Sequence, residues 1–160
     1  MSPELEKLAM EVGARLRSRG MKIATAESCT GGWVGEVLTA IDGSSDYYDR
    51  GFISYSNRSK QDMLSVPGET LEKYGAVSEE TVRAMAAGAV ANSQADVALA
   101  VSGVAGPAGG SARNPVGTVC FGWALKGGEA QSVCRHFEGD REAVRRQSVI
   151  CALQGVLERI

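Results

Sequence analysis

Three stretches of this chain combine residues able to carry out covalent chemistry with a change from apolar to small and polar character. They are Glu27-Ser-Cys-Thr-Gly-Gly32, Ser54-Tyr-Ser-Asn57 with Lys60 just beyond, and Ser102-Gly-Val-Ala-Gly-Pro107. In the first, Ser28 falls between an expected strand and an expected helix. Gly31 and Gly32 would let backbone N–H groups turn inward, and the helix N-terminus beside Thr30 adds partial positive charge suited to an oxyanion or a phosphate. The competing reading is that Ser28 or Thr30 only caps that helix. Spacing alone leaves the two level.

A serine nucleophile needs a base. The single histidine, His136, lies in a late hairpin, and an isolated histidine is more often structural than catalytic. Lys60 is the better candidate, because burial or neighbouring cations can bring a lysine pKa toward neutrality; left in water, it is an ordinary surface cation. Cys29 is a rival nucleophile, but adjacent side chains point apart, so Ser28 and Cys29 cannot both face one site.

The glycine-dense run from Ser102 to Gly110 has the composition of an anion-binding backbone nest. It lacks the Gly-Lys-Ser/Thr ending of a P-loop, which argues against ATP hydrolysis. Its plainer reading is a connection before an edge hairpin. Arg141 and Arg145 share a helix face at i,i+4 spacing, where one could clamp a phosphate or carboxylate; the alternative is a solvated face paired with Glu138 and Glu142.

The elements that must position these residues follow from periodicity. Apolar spacing predicts a helix over Pro3–Arg19, a strand over Met21–Ala26 and a helix over Thr30–Ile41. A second strand is expected at Arg50–Ser56, followed by a short helix Arg58–Leu64 capped by Asn57 and another over Glu69–Tyr74. A longer helix opens at Ser78 and runs to about Ser93. Asp96–Ser102 reads as a strand buried on both faces. Val116–Leu125 and Gln131–Phe137 form a hairpin, and Asp140 caps a last helix. The order α-β-α-β-α-α-α-β-β-β-α, with no repeat or linker, predicts one domain over 1–160. Its fold class is α/β, a sheet with helices on both faces made mixed by the late hairpin.

Bulk properties narrow the function classes. The chain has 160 residues, a net charge of −2 and no concentrated Lys/Arg stretch, which disfavours a nucleic-acid surface. No apolar run approaches membrane-spanning length and no apolar leader precedes the first helix, so a cytoplasmic protein without membrane partners is expected. The four cysteines, 29, 120, 134 and 151, show no CxxC spacing and no partner histidines. They are expected to be small buried hydrophobes in a reducing compartment, with no metal.

Several segments together resemble the CinA C-terminal domain family, and within it the stand-alone PncC-type nicotinamide-nucleotide amidohydrolases. The matching text is Thr25-Ala-Glu-Ser-Cys-Thr-Gly-Gly32, Gly51-Phe-Ile-Ser-Tyr-Ser-Asn57 with Lys60, and Gly75-Ala-Val-Ser78. It continues through Val101-Ser-Gly-Val-Ala-Gly-Pro107, Pro115-Val-Gly-Thr118 and Gly139-Asp-Arg with Arg145. The resemblance implies a three-layer α/β/α sandwich with a mixed, mostly parallel sheet and no cofactor. It implies deamidation of nicotinamide mononucleotide by a Ser/Lys pair, with Ser28 the nucleophile, Lys60 the base and Tyr55 an active-site tyrosine. Substrate would be held by Thr30, Gly31, Gly32, Ser102, Gly103 and Arg145. The family also suggests a homo-oligomer, a dimer, with Trp33, Tyr47 or Tyr48 as interface aromatics. The alternative class is a nucleotide-binding or regulatory module without turnover. Longer family members carry a further N-terminal domain, whose activity does not transfer to this chain.

Overall fold

Helical apolar spacing from Leu5 to Leu16 gives α1, Pro3–Ser18, with Leu5, Leu8, Val12 and Leu16 buried along one stripe. The remaining elements of the computed structural model, which describes residues 1–160, follow the expected order. They are β1 (Ile23–Glu27), α2 (Trp33–Thr39), a 3₁₀ turn (Ser44–Asp46), β2 (Tyr48–Ile53), α3 (Asn57–Leu64) and α4 (Gly68–Tyr74). There follow α5 (Glu79–Ala91), β3 (Val97–Gly103), β4 (Thr118–Leu125), β5 (Gln131–His136) and α6 (Arg141–Leu157). No helix is long and apolar enough to cross a membrane.

The five strands form one sheet in the order β2-β1-β3-β4-β5. β1 pairs in parallel with both β2 and β3, and the β3-β4-β5 pairings are antiparallel. Only β4 therefore runs against the other strands. Side chains alternate across a strand, and the two faces differ in kind. Ile23, Val97, Leu99, Val101, Phe121 and Trp123 join α1, α2 and α6 in the larger core. Ala24, Ala26, Ala98, Ala100, Cys120 and Ala124 meet α5 on the opposite face.

The small side chains of that second face let helix backbone come close. A Cβ on Gly122 would strike the Val82 carbonyl, and one on Gly88 would strike the carbonyl of Leu64. Gly88 thus sets the distance between α5 and α3, the helix that carries Lys60.

Several expectations need correction. The second strand begins two residues earlier than Arg50 and ends at Ile53. Its pairing with β1 sets those limits, and the expected extension Ser54–Ser56 is loop. The cap of α3 is Ser56, whose hydroxyl accepts the Ser59 N–H at 3.0 Å, rather than Asn57. Cys120 and Cys134 are joined in a disulfide across β4 and β5, where they stand directly opposite. Only Cys29 and Cys151 are free. Fourteen residues of sequence separation gave no hint of that register. Tyr47 is buried against Gly13 and Arg17, with its hydroxyl unpartnered, so it presents no interface. Tyr48 shares a hydrogen bond with Thr25 at 2.9 Å and is half-buried.

Gly88→Ala should therefore lower stability by about 1–3 kcal/mol through overpacking, measured by denaturant unfolding. An unchanged midpoint would show that α3 and α5 separate freely.

Candidate active site

Parallel pairing brings the ends of β2, β1 and β3 to one edge of the sheet, as the convergence of the three polar segments requires. Hydrogen bonding continues past the strands: Ser28 N–H donates to the Val101 carbonyl at 3.0 Å, and Ser54 N–H to that of Glu27 at 2.8 Å. Ser28 is thereby fixed to β3 on one side while its neighbour Glu27 is tied to β2 on the other. Alternation sends the Glu27 side chain toward α2 and Ser28 toward the face of α3 and α5.

Glu27 organises the turn. Its carboxylate is 2% exposed. It accepts the Thr30 hydroxyl at 2.6 Å and the N–H groups of Gly32 (3.2 Å), Val34 (2.9 Å) and Gly35 (3.0 Å). Negative charge at a helix N-terminus, with its lone pairs used, is a stable way to bury a carboxylate. The cap of α2 is thus supplied by Glu27, not by Ser28 or Thr30, and Ser28 is left unengaged in capping. Gly31 and Gly32 have φ of 59° and 105°, a left-handed backbone that glycine tolerates.

On the other face Lys60 is 1% exposed. Its Nζ lies 3.1 Å from Ser28 Oγ and 3.0 Å from each of the carbonyl oxygens of Ser54 and Tyr55. Burial pushes its pKa below the ordinary lysine value, because desolvation disfavours the ammonium. A neutral amine has two N–H donors and one lone pair. With the two carbonyls taking the donors, the lone pair is left for the Ser28 hydroxyl. Ser28 Oγ also lies 3.3 Å from the Tyr55 carbonyl, an alternative acceptor for its proton.

The other expected site residues divide. Tyr55 meets the Ser/Lys pair through its carbonyl, while its side chain is 62% exposed. The backbone of Gly31 and Gly32 is not free for a ligand: Gly31 N–H bonds the Ser28 carbonyl at 3.0 Å, and Gly32 N–H bonds Glu27. Ser102 is buried at the end of β3, beside Ser28. Gly103 is paired with Val119, and a Cβ there would meet Val119 and the Thr118 carbonyl, so close strand packing accounts for the glycine. Arg145 donates from Nε to the Cys29 carbonyl at 3.0 Å and from a terminal nitrogen to the Thr30 carbonyl at 3.1 Å. Its guanidinium lies 5.5 Å from the centre of the Trp33 ring. Arg141 similarly donates to the Gly106 carbonyl at 2.9 Å.

Two rivals fall away. Cys29 packs in the core of α1, α2 and α6, and burial raises its thiol to a pKa of about 11, so it supplies almost no thiolate. His136 sits on β5, three strand spacings from β1 or roughly 14 Å, and its ring bonds the Val116 carbonyl. No group of three or more His, Cys, Asp and Glu side chains is placed to hold a metal ion.

With this geometry in view, comparison with known proteins gives a consistent result. Residues 5–160 match the CinA C-terminal domain family, and the chain belongs to that family. It is 51% identical to the nicotinamide-nucleotide amidohydrolase PncC of Enterobacter agglomerans, over 96% of this chain and 93% of that one. It is 50% identical to the protein of the same name from Pseudomonas putida, over 94% of each. The crystal structure of the competence/damage inducible protein CihA from Agrobacterium tumefaciens superposes with a TM-score of 0.95. That structure is 41% identical in sequence, with 99% of this chain and 96% of that one covered.

Glu27 was not among the residues singled out for a role, although an acidic residue ending a strand just before a Gly-Gly helix start is a readable signal. Glu27→Gln keeps the shape but replaces one acceptor by a donor aimed at N–H groups. It should cost about 2–4 kcal/mol of stability, seen in a thermal or denaturant melt. A wild-type melt would show that the carboxylate does not hold the turn.

Proposed function

We propose that this chain hydrolyses the carboxamide of a nicotinamide nucleotide, nicotinamide mononucleotide in the first instance, to the carboxylate and ammonia. The observation that carries the reading is the 3.1 Å contact between a buried lysine amine and the hydroxyl of Ser28. The near full-length identity to amidohydrolases bearing that name supports the substrate class.

The chemistry follows from the donor count around Lys60. Neutral Lys60 takes the Ser28 proton as Oγ bonds to the carboxamide carbon, giving a tetrahedral intermediate. The carbon–nitrogen bond then breaks, and the leaving nitrogen takes the proton back from Lys60 to depart as ammonia. Water attacks the acyl-serine, yielding a proton to Lys60; the Ser28 oxygen then leaves and takes that proton back from Lys60, and the product acid ionises to the carboxylate. The cationic pyridinium of the substrate, bound nearby, further disfavours an ammonium on Lys60. The reaction needs no metal or cofactor in this scheme. Tyr55, through its exposed side chain, and Ser102 and Gly103, at the end of β3, are the residues we place nearest the nucleotide. The same reading takes the protein to be cytoplasmic and a homo-oligomer, a dimer in the simplest case, with Trp33 and the open edge of β2 available to a second copy.

Ammonia release from nicotinamide mononucleotide should be robust in the wild type and fall by orders of magnitude in both Ser28→Ala and Lys60→Ala. Activity surviving Ser28→Ala would remove the mechanism. An inactive wild type that still binds the nucleotide would restore the reading as a binding module.

The pH profile carries a sign. The reaction uses the neutral amine, so kcat/KM should climb as pH rises through the lowered pKa of Lys60, and the climb should end below the roughly 10.4 of a free lysine. A rate that rises nowhere between acid pH and the pKa of a free lysine would exclude Lys60 as the base.

A further inference from the structure

The Arg145 side chain spans from α6 to the loop that carries the nucleophile, and it ends on two main-chain carbonyls rather than on a carboxylate. A trans peptide is planar with its N–H opposite its C=O. Holding the Cys29 carbonyl toward α6 therefore aims the Thr30 N–H away from α6, toward the face from which Lys60 approaches Ser28. In the preceding peptide the Ser28 carbonyl accepts the Gly31 N–H, which turns the Cys29 N–H outward in the same manner. The N–H groups of Cys29 and Thr30 find no acceptor in another residue, whereas those of Gly31 and Gly32 are both used. The Cys29 N–H also points at its own thiol, and in a residue as buried as Thr30 an N–H without a protein acceptor is uncommon in folded chains.

We propose that Arg145 is a positioning residue for this active site: by fixing the Cys29 and Thr30 carbonyls it orients the Thr30 N–H, with that of Cys29, as the donors that receive the oxyanion. The proposal rests on the amidohydrolase reading. It moves the donors from the Gly31–Gly32 backbone to the two residues after Ser28, and gives Arg145 a task other than binding substrate. The Trp33 ring, its centre 5.5 Å from the guanidinium, attracts the cation from one side, and the planar fork meets two carbonyls at once. A lysine has three donors but all on one nitrogen, and lacks the fixed planar spacing with which Nε and a terminal nitrogen meet the two carbonyls.

The test compares wild type, Arg145→Lys and Arg145→Ala, each checked for folding by circular dichroism and thermal melting. Two readouts are used: steady-state ammonia release from nicotinamide mononucleotide, and the rate at which a fluorophosphonate probe labels Ser28, whose adduct draws on the same donors. The expected result is a 10- to 100-fold fall in kcat with KM changed less than about threefold, on the scale of losing part of an oxyanion contact. Labelling should slow in parallel, and millimolar guanidinium should partly rescue Arg145→Ala. Unchanged kcat with a large rise in KM would make Arg145 a substrate clamp and overturn the proposal. So would wild-type labelling in both variants.

A wild type that labels but does not deamidate would sink the functional reading alone, with the labelling ratio still deciding Arg145. A wild type that does neither sinks both. Should Arg145→Ala fail to fold, Arg145→Lys decides the question by the same two readouts.

Discussion

A buried carboxylate fixes where the nucleophile stands. Glu27 gives its oxygen lone pairs to a hydroxyl and three backbone N–H groups of the turn that follows it. The three N–H groups would otherwise be unsatisfied at a helix start. Because the bonds close a loop of only nine residues, from Glu27 to Gly35, the backbone through Ser28 has little freedom left. An isolated charge at this depth would be costly, and the turn is the structure that makes it affordable. Turn and carboxylate require one another.

The sheet then separates charges that would interfere. A carboxylate facing Lys60 would favour the ammonium and remove the base. One step along β1 changes the face, so Glu27 serves the α1, α2 and α6 layer while Ser28 meets Lys60 on the side of α3 and α5. The lysine is surrounded there by main-chain carbonyls and small side chains, and its principal electrostatic influence is loss of water. Alanines and glycines on that face let α5 lie close to the strands and bring α3 within reach, which is why the base can be both deep and near.

The element order was legible because strong periodicities specify it: the stripe of α1, the doubly buried run of β3 and the hairpin turn before β5 are all local signals. The sheet with helices on both faces followed from the alternation of elements, and its mixed character from the late hairpin. What could not be read was register. The Cys120–Cys134 pairing depends on which residues face each other across two strands, and no spacing rule in the sequence supplies that. Ser28 and Lys60 were visible as types in polar segments, and resemblance assigned their roles, but their contact required two parallel pairings and a helix placed by Gly88. The glycines were read as ligand-facing because glycine next to a helix start usually suggests an anion. The hidden competitor was Glu27, an internal anion already bound there. Arg145 was seen as a cation seeking an anion, when its partners are carbonyls, which leave no mark in a sequence.

One consequence of the site lies in how Lys60 is held. Two of its three contacts are to peptide oxygens of residues 54 and 55, so the base is tethered to the path of the chain and is indifferent to the side chains there. At residue 55 the main chain serves the interior and the phenol, largely in solvent, serves the exterior. These two tasks are mechanically joined but chemically separable, so the outer surface of the site can be rewritten by drift at this position while the proton-transfer geometry beneath it persists.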